Sequence, residues 1–332
     1  MTVLHVQINY ISQYRTQLMG IATLMIIACH APASGVQLPG VVAQLFTFGN
    51  FGVDLFLLLS GLGVYYSLRK KPVNTLLGGA RFYKRRTTRI FIPYLLIYIP
   101  FCIICFCLEK YSLGDCLLSL STLEFWIYHR GAWFISLIMV LYLLSPVLFS
   151  LFETKWKWWI VAGFLVAIMI VCNLYSSSET GFCSNMLSAL GRVPSFILGM
   201  AIGKDCIEER SLSALWLFPL LLLYVVCRKY LFITDGVAWL LIPVLVYAFL
   251  FIVNIAKRWL WFDNSLKFLG KVSLESYLTN ITINSVLVAL IPAYISSPVF
   301  HGRWLEYVIV IVLGLICAYY VNRFSQKIQK TI

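Results

Sequence analysis

Residues 51–61 read FGVDLFLLLSG, and residues 62–71 continue as LGVYYSLRKK. One carboxylate, Asp54, stands in a near-continuous apolar run that stops at three cations, Arg69, Lys70 and Lys71. A helix needs roughly 20 apolar residues to cross a bilayer. A span must also satisfy its own backbone hydrogen bonds, which selects helix in lipid. The run therefore predicts a membrane-spanning helix near residues 45–67. Similar runs lie on both sides of it. Together they make ten, near 17–33, 45–67, 90–108, 132–152, 158–175, 186–203, 213–230, 236–256, 266–291 and 304–324. The expected fold is all-α, a polytopic membrane helix bundle of about ten transmembrane helices. It is expected to form a single integral-membrane domain over residues 1–332, with no appended soluble domain.

Composition points the same way. The 332 residues are 61% hydrophobic, 16% aromatic and only 12% charged, with a mean hydropathy of +0.87. A soluble domain carries about a quarter charged residues. These values exclude a water-soluble globule, a disordered chain and a disulfide mini-protein. The first run does not read as a cleavable leader, because a single Arg precedes it and no small-residue cleavage site leads into a soluble body.

The net charge is +13. In a membrane protein such an excess belongs first to cytoplasmic loops. With the amino terminus inside, the inner segments hold 20 of the 26 Lys and Arg residues and the outer loops hold 5, while Arg192 falls within a span. This bias places both termini on the cytoplasmic side. Trp156, Trp158 and Trp159, beside Lys155 and Lys157, read as an interfacial belt. No Lys/Arg-rich soluble face is available to a duplex, so nucleic acid is set aside as a partner.

An ionisable group at the centre of a span costs roughly 2.5–3.5 kcal/mol on insertion scales. His30, Asp54, Arg192 and Glu275 are therefore the first candidates for a site. His30, toward the outer end of the first span, has two readings: an interfacial histidine touching headgroups, or a general base, since imidazole exchanges a proton near neutral pH. Asp54 enters from the outer side at a depth that loosely matches His30. It is either a structural carboxylate bonded to backbone or hydroxyl groups, or the partner that holds the imidazole tautomer and stabilises its charged form. Arg15, at the inner end of the first helix, lies about 22 Å from His30 and within about 60° of the same face. The two cannot touch, but both can border one channel.

Residues 69–89 form the densest cluster, with eight cations and no acid. Part of this charge is topogenic and suits anionic lipid. Within it, Arg85, Arg86 and Arg89 share a helix face. Guanidinium forks bind phosphate oxygens in pairs, so the trio suits a polyphosphate. Pro93 follows at the mouth of the third span, where the first helical turn tolerates proline. Cys102, Cys105 and Cys107 share an apolar span without a nearby histidine and read as packing residues; no metal is expected. Cys116 and Cys183 fall in expected outer loops, as a pair or as two free thiols. There is no Gly-x-Ser-x-Gly elbow and no Walker-type loop.

Six stretches, taken together, resemble the acyltransferase family 3 of multi-span membrane O-acyltransferases. MGIATLMIIACH, residues 19–30, is similar to the family's first helix with its histidine, and FGVDLFLLLSG to its second-helix motif. FYKRRTTRIFIPYLL, residues 82–96, resembles the Arg-rich segment that leads into the third helix. GAWFISLIMVLYLLSP (131–146), GRVPSFILGMAIG (191–203) and FLGKVSLESYLTN (268–280) are similar to later segments, in family order. The resemblance implies transfer of an acyl group, usually acetyl from cytoplasmic acetyl-coenzyme A or another acyl-coenzyme A, to a hydroxyl of a sugar. A cell-surface or lipid-linked glycan in a bacterial inner membrane is the implied acceptor. His30 matches the family's catalytic histidine, and Arg86 and Arg89 match its arginine pair, with Arg85 adjacent. Two positions depart from the pattern: the arginine eleven residues before the histidine is Met19 here, with Arg15 one turn earlier as its candidate replacement, and a later histidine is Asn280.

The implied chemistry fits the residues. A hydroxyl nucleophile needs a base, which His30 supplies. A developing oxyanion needs positive charge, from Arg15 or Arg192. The pyrophosphate and 3′-phosphate of coenzyme A suit Arg85, Arg86 and Arg89 at the inner mouth. A transporter or flippase for a lipid-linked glycan explains the spans and the basic inner face equally well, but consumes no acyl donor. A structural scaffold gives no reason for His30, Asp54 and the arginine cluster.

Overall fold

A computed structural model describes residues 5–73, 75–128, 130–175, 181–231, 236–290 and 304–331. The bundle is built from α1 (Arg15–Ala33), α2 (Phe51–Lys70), α3 (Leu76–Cys107), α4 (Trp133–Phe152), α5 (Lys157–Leu174), α6 (Val193–Ala201), α7 (Leu217–Lys229), α8 (Ala238–Ala256), α9 (Leu260–Lys271), α10 (Ser273–Leu290) and α11 (Trp304–Thr331). Shorter helices such as Gly40–Thr47 and Gly181–Leu190 join them. Among the described residues the only sheet is a pair of three-residue strands, β1 (His5–Gln7) and β2 (Ser211–Ser213), antiparallel with Val6 opposite Leu212.

The all-α membrane bundle is as expected, but the expected count of ten does not follow from helix length and composition. Among the described residues seven stretches are long and apolar enough to cross a membrane: Gly40–Lys70, Leu76–Cys107, Trp133–Phe152, Lys157–Leu174, Asn185–Ile207, Ala238–Ala256 and Trp304–Thr331. The other three expected spans correspond to α1, α7 and α10. α1 carries Arg15, Gln17 and His30, and α10 carries Glu275, Asn280 and Asn284. α7 has only 13 residues, about 20 Å of helix.

Three boundaries differ from the sequence expectation, and each bears on the site. The span expected at 266–291 breaks at Val272 into α9 and α10. The span expected at 186–203 breaks at Gly191 and Arg192, so Arg192 stands at the N-cap of α6 with a proline in the first turn behind it. α3 starts at Leu76 rather than near residue 90: the Thr75 hydroxyl accepts from the Gly78 N–H at 3.0 Å and starts the helix there. The arginine cluster thus rides on the spanning helix itself.

Glycines bring the central helices close. Gly61 of α2 lies against the Phe196 carbonyl of α6, and Gly199 of α6 lies against the Leu58 carbonyl of α2. α1 and α9 make the same reciprocal contact, Gly20 on Leu266 and Gly270 on Thr16. A side chain at any of the four would strike backbone, the mark of small-residue helix packing in membranes. Leu57, Leu59, Leu62 and Phe196 fill the core between them. Outward-facing residues such as Ile103, Leu143, Val147 and Leu313 remain exposed, as a lipid-facing wall requires.

Candidate active site

His30 is half-buried in the last turn of α1. Its Nδ1 lies 2.8 Å from the Ile26 carbonyl one turn earlier. A carbonyl only accepts, so Nδ1 carries the hydrogen. In the neutral ring the lone pair is therefore on Nε2. The Cys29 Sγ lies 3.6 Å from Nδ1. The ring lines a cavity of about 270 Å³, shared with Thr23 of α1, Trp133 of α4, and Ser276 and Asn280 of α10.

A second cavity, of about 460 Å³, is lined by Arg15 of α1, Arg86 and Arg89 of α3, and Lys271 and Glu275 at the α9–α10 junction. The two arginine-bearing helices are anchored on one stretch of α2. Arg15 donates from Nε to the Leu59 carbonyl at 3.1 Å. Arg86 donates from Nη2 to the Gly63 carbonyl at 2.8 Å, with its guanidinium over the Tyr142 ring at 5.5 Å. Gly63 makes room, since a Cβ there would sit 3.0 Å from the Arg15 guanidinium. Glu275 is buried and accepts from Asn322 Nδ2 at 2.8 Å. Arg85 is exposed and stands outside the lining residues.

Ile26, Phe56, Ser273 and Tyr277 line both cavities. The chamber that holds His30 and the chamber that holds three guanidinium groups therefore adjoin.

Asp54 does not fill the place at His30 that its depth suggested. It is fully buried; Arg192 pairs with Oδ2, and Ser195 Oγ donates to Oδ1 at 2.8 Å. With both oxygens engaged across the α2–α6 contact, it is not the imidazole's partner. The Ile26 carbonyl takes that role. Neither Asp54 nor Arg192 is among the residues that line the two cavities. Met19 lines the arginine cavity and Asn280 the histidine cavity. Cys102 and Cys105 are buried, and Cys116 donates to the Cys102 carbonyl at 3.6 Å. The side chain of Cys183 lies outside the described residues. Among those residues no group of three or more His, Cys, Asp or Glu side chains is placed to hold a metal ion.

The lining residues that sequence reasoning did not put forward as site candidates lie mostly on α10. Ser273, Ser276, Tyr277, Asn280 and Asn284 all face the His30 chamber. Their spacing of three and four is that of one helix face, so a polar stripe within an apolar run was the available signal.

A family model described as an acyltransferase domain matches residues 17–323, nearly the whole chain. No curated protein and no solved structure matches it.

Proposed function

The chain belongs to the acyltransferase 3 family, and from that premise we propose that it moves a short acyl group, acetyl by preference, from cytoplasmic acyl-coenzyme A to a hydroxyl of a cell-surface or lipid-linked glycan. The enzyme is an acyltransferase, built as a bundle of apolar helices. The observation that carries the finer reading is the adjoining pair of chambers, one holding His30 and the other Arg15, Arg86 and Arg89.

In this reading the guanidinium groups of Arg15, Arg86 and Arg89 grip the phosphates of the donor, with Arg85 on the exposed surface beside them. The pantetheine arm passes between Phe56 and Tyr277 into the outer chamber. There the acceptor O–H gives its proton to Nε2 of His30 as its oxygen attacks the thioester carbonyl. The tetrahedral adduct collapses, the C–S bond breaks, and the leaving thiolate takes the proton back from the imidazolium. The Nδ1–H···O=C bond to Ile26 fixes the tautomer that leaves Nε2 free for this exchange. Arg15 sits too far along α1 to reach a thioester at His30, so it serves donor binding rather than the oxyanion. Asp54 is a positioning residue: with Arg192 and Ser195 it locks α2 to α6 behind the chambers.

Location in a bacterial inner membrane with both termini cytoplasmic rests on the bias of basic residues. β1 and β2 place residues 5–7 and 211–213 on one face, as that topology requires.

The test is transfer itself. Proteoliposomes of the full chain receive acetyl-coenzyme A labelled in the acetyl group, with cell-envelope glycan as acceptor. Label on glycan is expected, and His30→Ala is expected to lower transfer by about 10²–10⁴-fold while the protein stays folded and inserted. Donor left intact while glycan crosses the bilayer overturns the reading in favour of a flippase.

A further inference from the structure

Among the described residues Glu275 is the one carboxylate that lines the arginine chamber, and a grip on phosphates by Arg15, Arg86 and Arg89 gives it no task. It heads a chain of hydrogen bonds. Asn322 of α11 donates from Nδ2 to Glu275 Oε1 at 2.8 Å and to the Lys271 carbonyl at 3.3 Å. Gln326, one turn further on, donates from Nε2 to Asn322 Oδ1 at 2.8 Å. A carboxylate and a carbonyl only accept. The Asn322 amide nitrogen therefore faces them, its oxygen faces Gln326, and Gln326 presents its own nitrogen in turn. The buried carboxylate thus fixes the polarity of both amides.

These amides belong to one face of α11. Asn322, Ser325, Gln326 and Gln329 line the chamber, whereas Arg323, Lys327 and Lys330 of the same helix do not. Spacings of three and four mark a single helix face. α11 therefore turns uncharged amides toward a chamber whose guanidinium groups come from α1 and α3, and amides suit a neutral hydrogen-bonding group better than a phosphate. With one N–H spent on Asn322, the Gln326 side chain keeps its Oε1 and a second N–H. One acceptor beside one donor is the edge that pairs with adenine, whose amino group donates and whose ring nitrogen accepts.

We infer that Gln326 reads the adenine base of the donor, with Asn322 and Glu275 as positioning residues that stop its amide from turning over. The inference rests on the reading that acyl-coenzyme A binds in the arginine chamber. Hypoxanthine carries an oxygen where adenine carries its amino group, so it sets an acceptor against Oε1 of Gln326. A paired amide discriminates against the wrong base by roughly 5–150-fold.

The experiment compares acetyl-coenzyme A with the analogue in which hypoxanthine replaces adenine. The full chain in proteoliposomes receives envelope glycan, and release of free thiol is followed. In wild type the KM for the hypoxanthine donor is expected to exceed that for the adenine donor by about tenfold or more, with kcat little changed. Gln326→Leu, at an exposed position, is expected to raise the KM for acetyl-coenzyme A and to bring the two donors to the same KM. Asn322→Leu frees the Gln326 amide to turn and is expected to narrow the gap between the donors. A merely structural network would affect both donors alike and leave their ratio unmoved. Equal KM values for the two donors in wild type, or an unchanged ratio in Gln326→Leu, overturn the base-reading role and leave the acyltransferase reading standing. Absence of thiol release from either donor, with folded protein, overturns the donor reading and this role with it.

Discussion

A carboxylate with no exposed surface persists inside an apolar helix because Arg192 and Ser195 occupy both oxygens of Asp54. Removing one partner of a buried ion pair costs roughly 3–5 kcal/mol, whereas replacing both with apolar groups is often neutral. Asp54→Leu is thus expected to lower stability by about 3–5 kcal/mol, and the double variant Asp54→Leu/Arg192→Met to recover most of it. Unfolding in detergent micelles checks both; a double variant as unstable as the single would assign Asp54 a role beyond the pair. The arginines call for a different readout. Arg89 lines the arginine chamber and Arg85 does not. Loss of a hydrogen bond to a charged group costs roughly 1.5–3 kcal/mol, so Arg89→Gln is expected to raise KM for acyl-coenzyme A by about 10–100-fold with kcat little changed. Arg85→Gln is expected to leave KM within a few-fold, and equal effects at the two positions would put the phosphates elsewhere. His30, Arg86 and Arg89 stood out in the sequence as candidates because an ionisable group in an apolar run, or a cation pair three residues apart, is visible locally, and each lines a cavity. The partner of Asp54 was not, because Arg192 reaches it only through a break in a run that reads as one continuous span.

That break and the one at Val272 show what hydropathy leaves out at the scale of elements. Apolar content continues through both positions, so a run of the right length reads as one helix. The turn at Val272 releases α9 to lie along α1, with Gly20 and Gly270 against each other's helix backbone. Gly270→Val would drive a branched side chain into the Thr16 carbonyl, and overpacking of this kind costs about 1–3 kcal/mol. A lowered melting temperature in detergent is the expected result, and an unchanged one would show that α1 and α9 can part at Gly270 without cost. Charge supports the same contact. Asp263 of α9 accepts from Lys267 at 2.5 Å and from Gln17 of α1 at 3.1 Å. The Lys267 bond first, then the Gln17 bond, hold the Asp263 carboxyl below the ordinary carboxylate range despite its burial. A carboxyl whose folded value lies below its unfolded value, near ~3.9, stabilises the fold above that pH and loses the contribution as pH falls through the folded value. Acid unfolding of Asp263→Asn is therefore expected to be less steep below about pH 4 than that of wild type, and parallel curves would remove Asp263 from the α1–α9 contact.

For the whole molecule, the decisive question is which face of the membrane the arginine chamber opens toward, because coenzyme A is found on the cytoplasmic side. Fold class and charge bias were legible at this scale, since both are sums over many residues and tolerate errors at any one helix end. Ten apolar runs read as spans, and by helix length and composition seven stretches among the described residues qualify, α1, α7 and α10 being the more polar or shorter three. Two long-range features constrain the answer. Pairing of β1 with β2 holds residues 5–7 beside residues 211–213; the six spans expected between them from sequence agree with that pairing, whereas the five long apolar stretches there need α1 as a sixth. Arg86 and Arg89 share α3 with Cys107, so the basic end and the cysteine-bearing end of that helix face opposite sides. With Cys107 and Cys317, the exposed thiols among the described residues, and also Cys183 first replaced by serine, single cysteines at Lys71 and Lys330 are expected to react with an impermeant maleimide only from the cytoplasmic side. A cysteine at Lys110 is expected to react only from outside. Labelling of Lys71→Cys from the outside would turn the arginine chamber away from its donor and end the assignment of Arg15, Arg86 and Arg89 to coenzyme A, while membership of the acyltransferase family would stand.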